Sequence, residues 1–162
     1  KERADHIIDT TALSSRQLGE LLWGIYAKDA RRAEILPIVV SFGFKNGIPL
    51  DADLVFDVRF LPNPFYNPDL KEKTGQESSV RDFVFSYPQT GEFMDKLMDM
   101  LTFLMPHYRA EGKYQIVIAI GCTGGMHRSV AVAEELYQRL EQQTGRPVIQ
   151  HRDIKKDLQI ER

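Results

Sequence analysis

Residues 120–132, IGCTGGMHRSVAV, place an apolar run before a glycine-containing loop, and the loop before a stretch with helical spacing. Three physical features converge there. Gly124 and Gly125 let the backbone curl and approach a ligand closely. The helix start presents unpaired N–H groups and a partial positive charge. Arg128 adds a fixed cation with a planar fork of donors. With Thr123 and Ser129 they form an anion site, most naturally for a phosphate. The plainer alternative is a tight corner with Arg128 solvated. Neither a Walker A loop nor a GxGxxG fingerprint occurs in the chain.

Five residues separate Cys122 from Arg128, and Ser129 comes next. This Cys-x5-Arg-Ser pattern looks like the signature of cysteine-dependent phosphatases, in which a thiolate attacks phosphorus while amides and the arginine hold the oxygens. Gly121 stands where that family usually has His, and Asp51, Asp53 and Asp57 are the available general acids. Cys122 is thus open to three roles: nucleophile, pocket lining and core residue. His127 can donate to a phosphate, move a proton or cap the helix. His6 and His107 have no second ligand nearby in the sequence, so no metal is expected.

A second constellation lies in residues 41–64, SFGFKNGIPLDADLVFDVRFLPNP. Lys45 and Arg59 fall near the ends of two predicted strands and can converge on the anion loop. Asp57 either binds a sugar hydroxyl or pairs with Arg59, and Asn63 can donate and accept. At the far end, Arg152, Lys155 and Lys156 are interspersed with Asp153 and Asp157, a diluted basic patch that reads as solvated surface or as an RNA contact.

The elements that must position these residues alternate as strand and helix, which predicts an α/β fold with a mostly parallel sheet flanked by helices. Strands are expected at residues 4–9 (around Ile7 and Ile8), 35–42, 54–60, 114–120 and 148–150. Ser14 or Ser15 caps a helix bearing Leu18, Leu21, Leu22 and Ile25. Phe93, Leu97, Met100, Leu101 and Leu104 mark another, ending near Pro106. Val130, Ala133, Leu136, Tyr137 and Leu140 mark a third, ending near Gly145. Residues 61–92, punctuated by proline and glycine, are expected to be irregular, as a binding loop, a lid or an oligomer contact.

Composition limits the function classes. With 162 residues, 43% of them hydrophobic, and a net charge of −2, the chain suits one domain with a true core and is unlike a disordered segment. Cys122 is the only cysteine, which rules out an internal disulfide and fits a cytoplasmic setting. No run is long and apolar enough for a membrane span, and the charged start is no signal peptide. The absence of an initiator Met points to a piece of a longer protein.

The strings at 41–64 and 119–130 together resemble the RNase adapter protein (RapZ) family, also described as YvcJ-type nucleotide-binding proteins, and the order of elements from Ala4 to Lys156 fits as well. The chain looks like that family's C-terminal domain, residues 1–156, followed by a charged tail at 157–162. The resemblance implies a fold similar to a phosphofructokinase subdomain. It implies a domain that senses an amino-sugar phosphate such as glucosamine-6-phosphate and is not itself an enzyme. It also implies oligomers, a small regulatory RNA and an endoribonuclease as partners, and a separate N-terminal P-loop domain that hydrolyses ATP and GTP and contributes no residue here. Carried over by position, the phosphate loop is Cys122, Thr123, Gly124, Gly125, His127, Arg128 and Ser129. Ser41, Lys45, Asp57, Arg59 and Asn63 complete the pocket, and Arg152, Lys155 and Lys156 are the RNA-binding positions. Phe65 and Asn46 stand where enterobacterial members carry His, and the mixed tail is closer to Gram-positive members.

Overall fold

A computed structural model describes residues 5–26 and 35–155. The chain divides after residue 34 into two units. In the first, α1 (Ser15–Tyr26) starts with a reciprocal cap. The Ser14 amide donates to Gln17 Oε1 at 2.9 Å, and the Gln17 amide donates back to Ser14 Oγ at 3.3 Å. The strand expected at residues 4–9 is not formed over the described residues 5–9. Ile7 is 68% exposed, and Asp9 turns the chain by accepting from the Thr11 amide and hydroxyl. Two apolar residues without a ladder partner do not make a strand.

The second unit holds a four-stranded, all-parallel sheet in the order β2-β3-β1-β4, built from β1 (Leu36–Gly43), β2 (Leu54–Asp57), β3 (Gln115–Cys122) and β4 (Val148–His151). The two central strands, LPIVVSFG and QIVIAIGC, are apolar on both faces, as parallel strands covered on both sides must be. Pro37 fits because pairing with β4 begins only at Ile38.

Helices α2 (Ser78–Phe85), α3 (Pro88–Ala110) and α4 (Arg128–Thr144) supply the rest of the core. Ile116, Ile118 and Ile120 of β3 pack with Val84, Met94, Leu97, Leu101, Leu136 and Leu140. Residues 61–92 are therefore more regular than expected. Pro88 opens α3 at a position where its missing N–H removes no bond, and only 61–77 stays irregular apart from a short 3₁₀ turn at Pro64–Tyr66. Nor does α3 stop at Pro106. One lost backbone bond is tolerated because Met105 and Tyr108 on either side are held by the core. Strand β2 is shorter than expected, since the Arg59 amide folds back onto Asp57 Oδ1 at 2.9 Å. Strand β3 is longer and carries Cys122 inside the sheet. Gly145, at φ 76°, ends α4 in the left-handed region as expected. No described helix is long and apolar enough to cross a membrane.

Candidate functional site

The register brings the ends of three strands together: Gly43 of β1 lies beside Cys122, and Asp57 of β2 beside Gly121. The loop 123–127 leaves this edge and feeds α4, at the carboxyl end of a parallel sheet where such folds bind ligands. Only Thr123 and Gly124 of the loop reach solvent; residues 125–130 are buried. Gly125 turns the corner at φ 91°. A Cβ on Gly43 would overlap the Gly124 carbonyl, so β1 and the loop touch backbone to backbone. His127 supplies no capping side chain, and the first N–H groups of α4 have no intrahelical acceptor.

Arg128 is 5% exposed, not solvated. Its Nη1 donates to the carbonyls of Arg59 at 2.6 Å and Leu61 at 3.0 Å. Its Nη2 reaches Thr123 Oγ1 only at 3.4 Å, and its buried Nε has no hydrogen-bond partner among the described residues. One end of the guanidinium is thus fastened to main chain. The Nε–Nη2 edge, which grips an anion with two parallel N–H groups, is nearly idle. An orphaned buried donor of this kind calls for an acceptor.

Cys122 is 3% exposed and belongs to the core cluster. Its Sγ accepts from the Gly125 amide at 3.2 Å and lies 3.1 Å from Ser129 Oγ. The thiol ties the loop to the helix. His127 is buried at 8% exposure, with Nε2 3.0 Å from the Lys71 carbonyl. A carbonyl only accepts, so Nε2 carries the proton. Burial pushes the His127 pKa below its usual value, and the neighbouring Arg128 charge pushes the same way, against the opposing pull of the Lys71 and Leu70 carbonyls.

The second constellation is partly assembled around this loop. The Lys45 amide donates to the Thr123 carbonyl at 3.2 Å. Arg59 pairs with Asp57, Nη2 to Oδ2 at 2.6 Å, and lies 4.3 Å over the Phe44 ring. The hydrogen bonds from Arg59 hold the Asp57 carboxyl below its usual range, and the Arg128 charge adds to this. Asp57 is therefore an ionised, exposed acceptor beside the loop. Ser41 and Asn63 are not gathered in. Ser41 is fully buried, with Oγ 2.8 Å from His151 Nδ1, and Asn63 accepts from the Phe65 amide to cap the turn at Pro64–Tyr66. Arg152 likewise turns inward to Asp153 and to the Gly47 carbonyl. Lys155 is exposed, and Lys156 lies outside the described residues.

Sequence reasoning missed Asp153, fully buried with Oδ2 accepting from the Gly43 amide at 2.9 Å. It also missed a chain running out from the buried Ser41, in which the half-buried His151 bridges Ser41 to Glu134 Oε1 at 3.0 Å, where the exposed Gln76 also donates. Nothing local signals these groups, since each partner comes from a different element.

Comparison with known proteins agrees with this architecture. A family profile described as the RapZ C-terminal domain matches residues 36–155. The chain is 58% identical over 153 residues to a nucleotide-binding protein of Alkaliphilus oremlandii, covering 94% of this chain and 53% of that protein. It is 54% identical over 158 residues to one of Caldicellulosiruptor saccharolyticus, covering 98% and 54%. It is 56% identical over 156 residues to one of Lachnoclostridium phytofermentans, covering 96% and 55%. The chain spans about half the length of these curated relatives. On the match over residues 36–155 and these identities, the chain belongs to the RapZ C-terminal domain family.

Proposed function

We propose that this domain binds a phosphorylated small molecule at the loop 121–129 and acts as a sensor, with no chemistry performed on the ligand. The observation that carries this reading is the unsatisfied Nε of buried Arg128 beside an uncapped helix start. An anion entering past Thr123 and Gly124 would take the Nε–Nη2 edge and the loop amides. The ligand class is an amino-sugar phosphate such as glucosamine-6-phosphate, supported by the ionised Asp57 at the rim, which complements an ammonium group. In the longer protein, occupancy would bias a neighbouring domain that hydrolyses ATP or GTP, or an endoribonuclease partner, in the cytoplasm and within an oligomer. Lys155 is exposed to meet RNA phosphate, and exchanging it together with Lys156 for Ala tests that part by the loss of RNA affinity.

Calorimetry with glucosamine-6-phosphate, glucosamine and inorganic phosphate tests the main reading. The phosphorylated sugar should bind tightest, phosphate weakly and competitively, and glucosamine alone least. Equal binding of the sugar with and without its phosphate would refute an anion site.

A further inference from the structure

We infer that Asp153, neutralised by Arg152, is the positioning residue that holds the anion loop in its binding shape. This rests on the reading of that loop as an anion site. Asp153 lies just beyond β4, far from the loop in sequence, and is fully buried. Its Oδ2 accepts from the Gly43 amide at 2.9 Å and from Arg152 Nη2 at 2.7 Å. Arg152 Nη2 also donates to the Gly47 carbonyl at 2.6 Å, and its guanidinium lies 5.4 Å from the Phe42 ring centre. The two residues therefore grip both ends of the turn 43–47.

That turn is what the anion loop leans on. Gly43 abuts the Gly124 carbonyl, and the Lys45 amide bonds the Thr123 carbonyl. Asp153 itself closes the back of the corner: a Cβ on Gly125 would lie 2.9 Å from Asp153 Cβ. Each of these contacts with residues 123–125 runs through Asp153 or through the turn it holds. The arrangement also sets a charge condition. A buried carboxylate behind an anion site opposes the anion unless a cation neutralises it. Arg152 is that cation, which gives it a role inside the domain.

The test uses the 162-residue chain, with inorganic phosphate as the probe. Amide shifts give the affinity, and amide hydrogen exchange gives the state of the loop. Asp153→Ala should weaken phosphate about tenfold, the equivalent of one lost hydrogen bond in the positioning of the site, and speed exchange at Gly43, Lys45 and Gly125. Asp153→Asn keeps an acceptor for the Gly43 amide and should fall between Ala and wild type. Arg152→Ala should weaken phosphate more than the double variant Arg152→Ala/Asp153→Asn, because the double variant removes the uncompensated charge. Lys96→Ala, exposed on α3, should change neither readout. Unchanged exchange in Asp153→Ala overturns the inference whatever phosphate does, and where the wild type binds phosphate, a double variant no better than Arg152→Ala overturns it as well. Faster exchange in Asp153→Ala, in a wild-type background that binds no phosphate, supports the brace and overturns the anion-site reading alone.

Discussion

Arg128 donates through Nη1 to the main-chain carbonyl of Arg59 at 2.6 Å, so the buried cation of the loop is fastened to the segment that carries the exposed one. Truncation to Ala strands the carbonyls of Arg59 and Leu61 and should cost about 2–4 kcal/mol. Arg128→Lys, which retains the charge and loses the fork, should cost less. Urea denaturation of the two variants checks the order, and a wild-type midpoint for Arg128→Ala would rule out the strut.

Glycine substitutions should separate close approach from backbone angle. Gly43→Ala drives a Cβ into the Gly124 carbonyl and should destabilise by more than about 3 kcal/mol, since backbone on both sides must shift. Gly145→Ala meets nothing within 4 Å and pays only for its positive φ, about 1 kcal/mol. Thermal denaturation of both should show the first losing far more than the second. Equal losses would mean that β1 and the loop do not abut.

Cys122 should behave as a core residue. Its thiol should resist a maleimide reagent in the native state and react once the chain is unfolded, because Sγ is enclosed by Gly125 and Ser129. Cys122→Ser should destabilise by about 1–2 kcal/mol. The chain should not turn over p-nitrophenyl phosphate. Hydrolysis by the wild type that vanishes in Cys122→Ser would make the thiol a nucleophile.

His127 gives stability a defined pH dependence. Burial lowers its folded pKa below the reference value of 6.5. Above that value both states are neutral and contribute no slope. As pH falls below it, the unfolded chain takes the proton first, so stability drops until the folded state is protonated too. Denaturation midpoints from pH 7.5 to 5.0 should decline in the wild type and decline less in His127→Gln. Parallel curves would show that another group titrates.

The legible part of the fold was what local pattern encodes. The runs LPIVVSFG and QIVIAIGC read as buried strands, and the left-handed Gly145 as a helix end, because each signal lies within a few residues. Residues 5–9 were misleading for the converse reason: Ile7 and Ile8 have strand propensity, but a strand is completed by a neighbour. The site divides in the same way. Loop, glycines and Arg128 were visible as a contiguous motif. Ser41 is placed in the pocket by the family resemblance alone, and its hydroxyl turns to His151, 110 residues away. Arg152 looked like surface charge because nothing nearby in sequence shows that Asp153 would be buried against Gly43.

The central claim is that the loop after β3 receives an anion, and an amide-resolved titration with inorganic phosphate tests it most directly. The account predicts saturable shifts concentrated on the amides of residues 123–130 and on the Arg128 Nε–H signal, lost at high competing sulfate. Shifts scattered over the surface lysines, with those amides and that Nε–H unmoved at saturation, would contradict it.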